Sequence, residues 1–216
     1  MTVQFPIPDY AAARATMIES QLRPEGVTDR AVLEAMGRVA RESFVPADAR
    51  PLAYSDRAVP LGNGRFLPAP AALGQLLDHM APEPGERALV VGAGSGYAAA
   101  VLAAIGLEVV AVESDPTLAA TVRTSGVETI VGPLDAGHRK GAPYALILID
   151  GAVTQIPDAI IAQLGDGGRL GAALIDRSVT RLIVGRKSGG AFGFLSLGDA
   201  GVPPLPGFTR PPAFTF

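Results

Sequence analysis

Ala88-Leu89-Val90-Val91-Gly92-Ala93-Gly94-Ser95-Gly96-Tyr97-Ala98-Ala99-Ala100 joins an apolar run to a glycine-rich bend and then, without a break, to an alanine-rich helical pattern. A buried strand that turns directly into a helix needs small residues at the turn. Their bare backbone lets a ligand lie against the helix N-terminus. The next apolar run, Glu108-Val109-Val110-Ala111-Val112, ends on Glu113, where a carboxylate is placed to accept hydrogen bonds from a ribose diol. Bend and acid together predict a cofactor that contains a nucleoside.

A dinucleotide fingerprint would set its third glycine where Tyr97 stands. The spacing here is instead G-x-G-x-G, from Gly92 to Gly96, which is the spacing of S-adenosylmethionine sites. A plain tight turn is the structural alternative, and NAD is the competing ligand.

Outward from the bend, strand and helix alternate regularly. Strands are predicted at 87–92, 108–113, 128–131, 145–150 and 169–174, a rhythm that implies a parallel sheet with helices on both faces. Arg181 to Val184 and Phe192 to Leu197, separated by Ser188-Gly189-Gly190, predict an antiparallel hairpin at the end of that sheet. Upstream, Asp9 to Leu22 has the pattern of an amphipathic helix, and Thr28-Asp29 starts a second in which Val32, Leu33, Met36 and Val39 recur at helical spacing. Pro51 to Pro70 interleaves aromatic and aliphatic residues with turn residues, as an ordered lid does, and Ala71 to Met80 returns to helix. The predicted organisation is one compact α/β unit: a helical extension and lid over 1–80, the sheet domain over 81–200, and an extended tail over 201–216 anchored by its phenylalanines.

Composition bounds the chemistry. With 48% hydrophobic and 18% charged residues, the 216-residue chain can fill one sizeable core. A net charge of -3 gives no global support to nucleic-acid binding. There is no cysteine, so thiolate nucleophiles, disulfides and thiolate metal sites are excluded, and two isolated histidines, His79 and His138, do not make a metal cluster. Met1 to Gln21 lacks the basic start and apolar centre of a secretion signal, and no apolar run reaches the ~18 residues of a membrane span. A cytoplasmic protein is expected, acting without nucleic acid, membrane or metal.

The chain resembles the protein-L-isoaspartate O-methyltransferases over about residues 17–175. The resemblance is carried by Met17-Ile18-Glu19-Ser20-Gln21-Leu22, Val39 to Pro46, Ala53-Tyr54-Ser55-Asp56, Gly92 to Leu102, Ile156-Pro157, Gln163-Leu164 and Gly167-Gly168-Arg169-Leu170. It implies a Rossmann-like, S-adenosyl-L-methionine-dependent methyltransferase that esterifies a carboxylate, L-isoaspartyl residues of damaged proteins first among acceptors. A peptide or protein carrying that carboxylate is the implied partner. Carried onto this sequence, the cofactor residues are Gly92, Ala93, Gly94, Ser95, Gly96, Tyr97, Glu113, Ser114, Pro133, Leu134 and Asp150. The lid facing the acceptor is Arg65, Phe66, Leu67 and Pro68. Asp150, Tyr54 and Asp56 are the catalytic candidates.

The departures are specific. Family members carry Thr-Ile-Ser-x-Pro after the lid's glycines, whereas this chain reads Phe66-Leu67-Pro68-Ala69-Pro70. Proline at the serine's place removes both the hydroxyl and the backbone N–H that could hold an acceptor oxygen. Val90 stands where an acid is common, and Pro133 stands where an aspartate commonly accepts from the adenine amino group, with Asp135 two residues on.

Methyl transfer to an ionised carboxylate needs no general base. It needs alignment of oxygen, methyl carbon and sulfur, and a dry wall. No triad is therefore expected. Asp150 would orient an amide or activate a hydroxyl acceptor, unless it merely caps a helix. Arg65 is the cation near the acceptor carboxylate, and Arg41-Glu42 is expected to be a structural ion pair. The same fold acting on a small molecule or modified peptide, and a silent S-adenosylmethionine-binding protein, are the alternatives.

Overall fold

The computed structural model describes residues 9–123 and 127–208. Asp9 accepts from the Ala12 N–H and caps α1 (Tyr10–Met17), which continues into a π-helical turn, Ile18–Leu22. The pattern predicted a single helix over 9–22. The widened turn departs from that, and it leaves Met17, Ile18 and Leu22 buried together. Asp29 caps α2 (Arg30–Arg38), whose Val32, Leu33 and Met36 are buried. Val39 lies beyond the helix in extended backbone. Two short strands, β1 (Val59–Gly62) and β2 (Arg65–Leu67), then form an antiparallel arm within the segment expected to be a lid.

α3 (Pro70–Met80) leads into the main sheet: β3 (Arg87–Val91), α4 (Tyr97–Ile105), β4 (Glu108–Glu113), α5 (Pro116–Arg123), β5 (Glu128–Val131), β6 (Tyr144–Val153), α6 (Asp158–Ile161), β7 (Leu164–Asp176), β8 (Val179–Ser188) and β9 (Ala191–Asp199). Their spatial order is β5, β4, β3, β6, β7, β8, β9, parallel through β7, with β8 and β9 each antiparallel to the strand before. The predicted mostly parallel sheet with a terminal hairpin is the one observed.

Residues of each central strand alternate between two cores. Ala88, Val90, Ala111, Leu146 and Leu148 face one, and Leu89, Val91, Val110, Ile147 and Ile149 face the other. Burial on both sides is why these strands read as continuous apolar runs. The first core is roofed by the long helices. The second is covered by Ile160 of α6, by Leu134 of the short turn at 134–136, and by Leu205 and Phe208. That end segment is held to β6, with Ala152 N–H donating to Pro203 O at 2.9 Å and Leu205 N–H donating to Ala152 O at 2.8 Å. Phe208 is buried, and its carbonyl accepts from the Thr154 hydroxyl. Of the tail's phenylalanines expected to be anchors, Phe214 and Phe216 lie outside the described residues.

Two helix glycines make opposite predictions. A Cβ at Gly74 of α3 would overlap the buried Leu22 side chain and sit 3.0 Å from Val27 Cγ2, whereas one at Gly37 of α2 meets nothing within 4 Å. Gly37→Ala is expected to stabilise the fold by up to about 1 kcal/mol through helix propensity. Gly74→Ala is expected to lose about 1–3 kcal/mol to overpacking. Urea unfolding of the two variants checks both signs.

Candidate cofactor and acceptor site

The sheet order reverses between β3 and β6, so the crevice outside their carboxyl ends is the place where this architecture binds ligands. The glycine bend lies there. Gly92 (φ 74°) and Gly96 (φ 97°) occupy the left-handed region, where a side chain would be strained. The N–H groups of Gly92 and Ala93 both donate to Val112 O, at 2.9 and 3.2 Å, which ties the bend to β4. β4 thereby delivers Glu113, fully buried, to the mouth of the bend. Glu113 Oε2 accepts from the Gly94 N–H at 2.7 Å, and Oε1 accepts from the Ser114 and Asp115 N–H groups at 2.7 and 3.0 Å.

The same carboxylate has a partner that the sequence reading placed elsewhere. Arg65, on β2, forms a buried ion pair with Glu113 through Nη1, and its Nη2 donates to Gly92 O at 3.1 Å. The arm is fastened further by Asn63 Nδ2 donating to Asp115 Oδ2 at 2.8 Å. Leu61 Cδ1 lies 3.1 Å from where a Gly94 Cβ would be, and Leu205 Cδ1 lies 2.8 Å from where a Gly92 Cβ would be. Leu205 also lies against Gly151, at the bulged end of β6.

In kind, then, the residues fit an adenosyl ligand: an open glycine backbone, a helix N-terminus, and a buried carboxylate to take a diol. Leu61, Arg65 and Leu205 pack directly against the bend.

Beside this cradle lie residues expected on the acceptor side. Pro68, Asp150 and Gly151 line a cavity of about 10 Å³, together with Ala72, Leu73 and Val202; that is room for about one water molecule. Arg41 is wholly buried, donating from Nε to Ala53 O at 2.6 Å and from Nη2 to Pro68 O at 2.5 Å, with its guanidinium 4.8 Å from the Tyr97 ring centroid. The proline that lacks a donor therefore still fixes the lid, through its carbonyl. Burial pushes the Asp150 carboxyl up to about 7, against the pull of the Arg41 and Arg65 guanidinium groups. Two cations and two carboxyls, Arg41, Arg65, Glu113 and Asp150, share one dry cluster.

The other predicted site residues are distributed as follows. Ala93, Ser95 and Tyr97 are buried in and behind the bend, with Tyr97 packed edge-on to Phe44 at 5.6 Å between centroids. Ser114 is exposed just past Glu113, and Leu134 is buried beneath an exposed Pro133, which starts a 3-10 turn; Asp135 is exposed. Leu67 is buried and Phe66 is 37% exposed. Tyr54 is bound to the N-terminal helix, its hydroxyl donating to Glu42 and accepting from Arg14 Nε at 2.8 Å. Asp56 is exposed on a 340 Å³ groove shared with Gln75 and Asp199, which meets the small cavity at Ala72. Asp150 sits within β6, which runs on to Val153, so it caps no helix. The expected Arg41–Glu42 pair is replaced: Glu42 pairs with Arg14 at 3.0 Å, and Arg41 points inward to backbone carbonyls.

Leu61, Leu205 and the Arg65–Glu113 pair escaped the sequence reading. A lone leucine among Pro203, Pro204 and Pro206 was the available signal for Leu205, because prolines hold a segment extended while one apolar side chain anchors it. No pattern in sequence announces a pairing across 48 residues. Among the described residues no cluster of His, Asp and Glu could hold a metal ion, and no helix is long and apolar enough to cross a membrane.

The chain has clear relatives in sequence and in fold. A protein-L-isoaspartate O-methyltransferase of Methylorubrum populi is 44% identical over 165 residues, 74% of this chain and 78% of its own length. One of Methanoculleus marisnigri is 36% identical over 201 residues, covering 90% of this chain and 91% of its own. In three dimensions, a Plasmodium falciparum beta-aspartate methyltransferase (PCMT), in complex with S-adenosyl-L-homocysteine, superposes with a TM-score of 0.78 at 19% identity, over 90% of this chain and 98% of its own. That last likeness speaks to the fold alone. Residues 13–191 match the model of the protein-L-isoaspartate(D-aspartate) O-methyltransferase (PCMT) family, a span that runs from the first helix through the bend and Glu113 to the final hairpin, and the chain belongs to that family.

Proposed function

We propose that this protein transfers a methyl group from S-adenosyl-L-methionine to a carboxylate, that of L-isoaspartyl residues in damaged proteins. The observation that carries the reading is the buried Glu113 carboxylate at the end of β4, hydrogen-bonded to the Gly94 N–H of a G-x-G-x-G bend, in a chain of this family. When bound, the donor supplies an electrophilic methyl group. The protein's part is to bind, to orient and to exclude water. Gly92, Gly94 and Gly96 keep the backbone open, Glu113 takes the ribose, and Ala93, Ser95, Tyr97, Ser114, Pro133 and Leu134 surround them. Arg41 holds the lid at Pro68 O, so that acceptor and donor meet in a water-poor crevice. A methyl ester can lose methanol when a nucleophile attacks its carbonyl, whereas a carboxylate has no comparable group to lose. The neighbouring backbone nitrogen can then close a succinimide, which reopens in part to normal aspartate.

Pro68 favours a second reading, in which the same methyltransferase takes another carboxylate, on a small molecule or a modified peptide. Transfer of labelled methyl from S-adenosyl-L-methionine to an isoaspartyl peptide separates the two. Under the repair reading the parent protein labels the peptide as a base-labile ester, and Pro68→Ser, which restores a hydroxyl and an N–H, raises kcat/KM for it by about tenfold, the worth of one or two hydrogen bonds. Binding of the donor without any labelling of the peptide would reject the repair reading in favour of another acceptor.

A further inference from the structure

Glu113 is fully buried while Arg65 is on it, so a ribose has no open approach to its carboxylate. Its Oε2 is taken by the Gly94 N–H, and its Oε1 by two backbone N–H groups and the Arg65 guanidinium. Three of these donors belong to the bend and to the turn after β4, and cannot leave without unmaking them. Arg65 stands on a three-residue strand of a two-stranded arm and can leave with that arm. A diol that engages Glu113 therefore takes the place of Arg65. The guanidinium, 4% exposed and with its Nε already lacking any partner, is then a buried cation whose remaining neighbouring carboxyl, Asp150, resists ionisation. Such a state is costly unless a second anion arrives or the side chain reaches water.

The second anion is at hand. Three residues after Arg65 comes Pro68, which lines the acceptor cavity and offers an acceptor oxygen neither a hydroxyl nor an N–H. Leu205 stands between Arg65 and that cavity, lying at Gly92 beside Arg65 Nη2 and at Gly151 in the cavity's wall. Arg41, the other cation there, is held by the carbonyls of Ala53 and Pro68 and packed on Tyr97, so it is not free to follow a ligand.

We propose that Arg65 exchanges carboxylates: it occupies Glu113 until the donor's ribose displaces it, and it then binds the carboxylate of the acceptor, replacing the donors that Pro68 lacks. Arg65 is thus the specificity-determining residue for an anionic acceptor, and it imposes an order, donor first and acceptor second. The inference rests on the donor reading given above.

The test measures binding, not turnover. S-adenosyl-L-homocysteine is titrated by calorimetry into the parent protein, Arg65→Met, Arg65→Lys and Leu205→Ala, each checked for folding by circular dichroism. A fluorescent isoaspartyl peptide is titrated with and without that nucleoside. The expected results are tighter S-adenosyl-L-homocysteine binding by Arg65→Met, at least tenfold, and peptide binding by the parent that is at least tenfold stronger in its presence. Peptide binding is at least tenfold weaker in Arg65→Met and is partly recovered in Arg65→Lys. Hydrogen exchange on the parent protein is expected to quicken at residues 61–67 when the nucleoside binds, a readout that stands even if a variant fails to fold.

Peptide affinity that is indifferent to the nucleoside or to Arg65→Met overturns the exchange and leaves the donor site standing. So does unchanged exchange at 61–67. Failure of every variant and of the parent to bind S-adenosyl-L-homocysteine removes the donor reading itself, and the inference with it.

Discussion

Glu113→Ala is expected to destabilise the protein by about 3–5 kcal/mol, the cost of breaking a buried ion pair by removing one partner. The loss has two sources. Arg65 is left as a buried cation, and the N–H groups of Gly94, Ser114 and Asp115 lose their common acceptor. Both fall on the segment that joins β3 to α4 and β4 to α5, so the bend itself loosens. The same variant is expected to bind S-adenosyl-L-homocysteine no more than weakly, because its diol acceptor is gone. Urea unfolding and calorimetry on one sample report the two effects. The double variant Glu113→Ala/Arg65→Met should regain part of the stability, since it removes the stranded charge, but none of the affinity. A double variant no more stable than Glu113→Ala would show that the pair is not the source of the cost.

The second large effect is on pH dependence. The Asp150 carboxyl, pushed up to about 7 by burial, ordinarily titrates near 3.8. Its folded value lies above its unfolded one, so the stability it allows is fully present below about pH 4 and is lost as pH rises through about 7. A shift of about three units corresponds to about 4 kcal/mol. Asp150→Asn should therefore be more stable than the parent by up to about 4 kcal/mol at pH 8 and little different at pH 4. Denaturant midpoints at pH 4, 6 and 8 check the slope. An equal gain at all three would place the effect in packing and not in ionisation. Arg41 opposes the rise in the Asp150 carboxyl, so replacing Arg41 should move the stability loss to higher pH and enlarge it.

Much of the fold was legible because its signals are local. A strand buried on both faces is apolar throughout, a bend into a helix is built of small residues, and Asp is among the best helix caps, as at Asp9 and Asp29. The hairpin of β8 and β9 showed itself by Gly189-Gly190 between two runs rich in aliphatic and aromatic residues. Where local signals ran out, the reading slipped. Helical spacing over 9–22 does not distinguish an α turn from a π turn, and the observed π turn has Leu22 packed at Gly74 of α3. The charges of Arg41 and Glu42 are adjacent in sequence, yet their side chains part, because one faces the core and the other faces Arg14 and Tyr54.

The amino-acid order by itself determined a parallel sheet ending in a hairpin, a glycine bend after β3, and an acid at the end of β4, because each follows from residues within one or two elements of each other. Only the tertiary structure decided which cation meets Glu113, what stands over Gly92, and why Asp150 resists ionisation. Those outcomes depend on water being shut out of a crevice that β2, β4, β6 and residues 202–208 enclose together. Charge pairing and desolvation belong to that enclosure, not to any stretch of sequence.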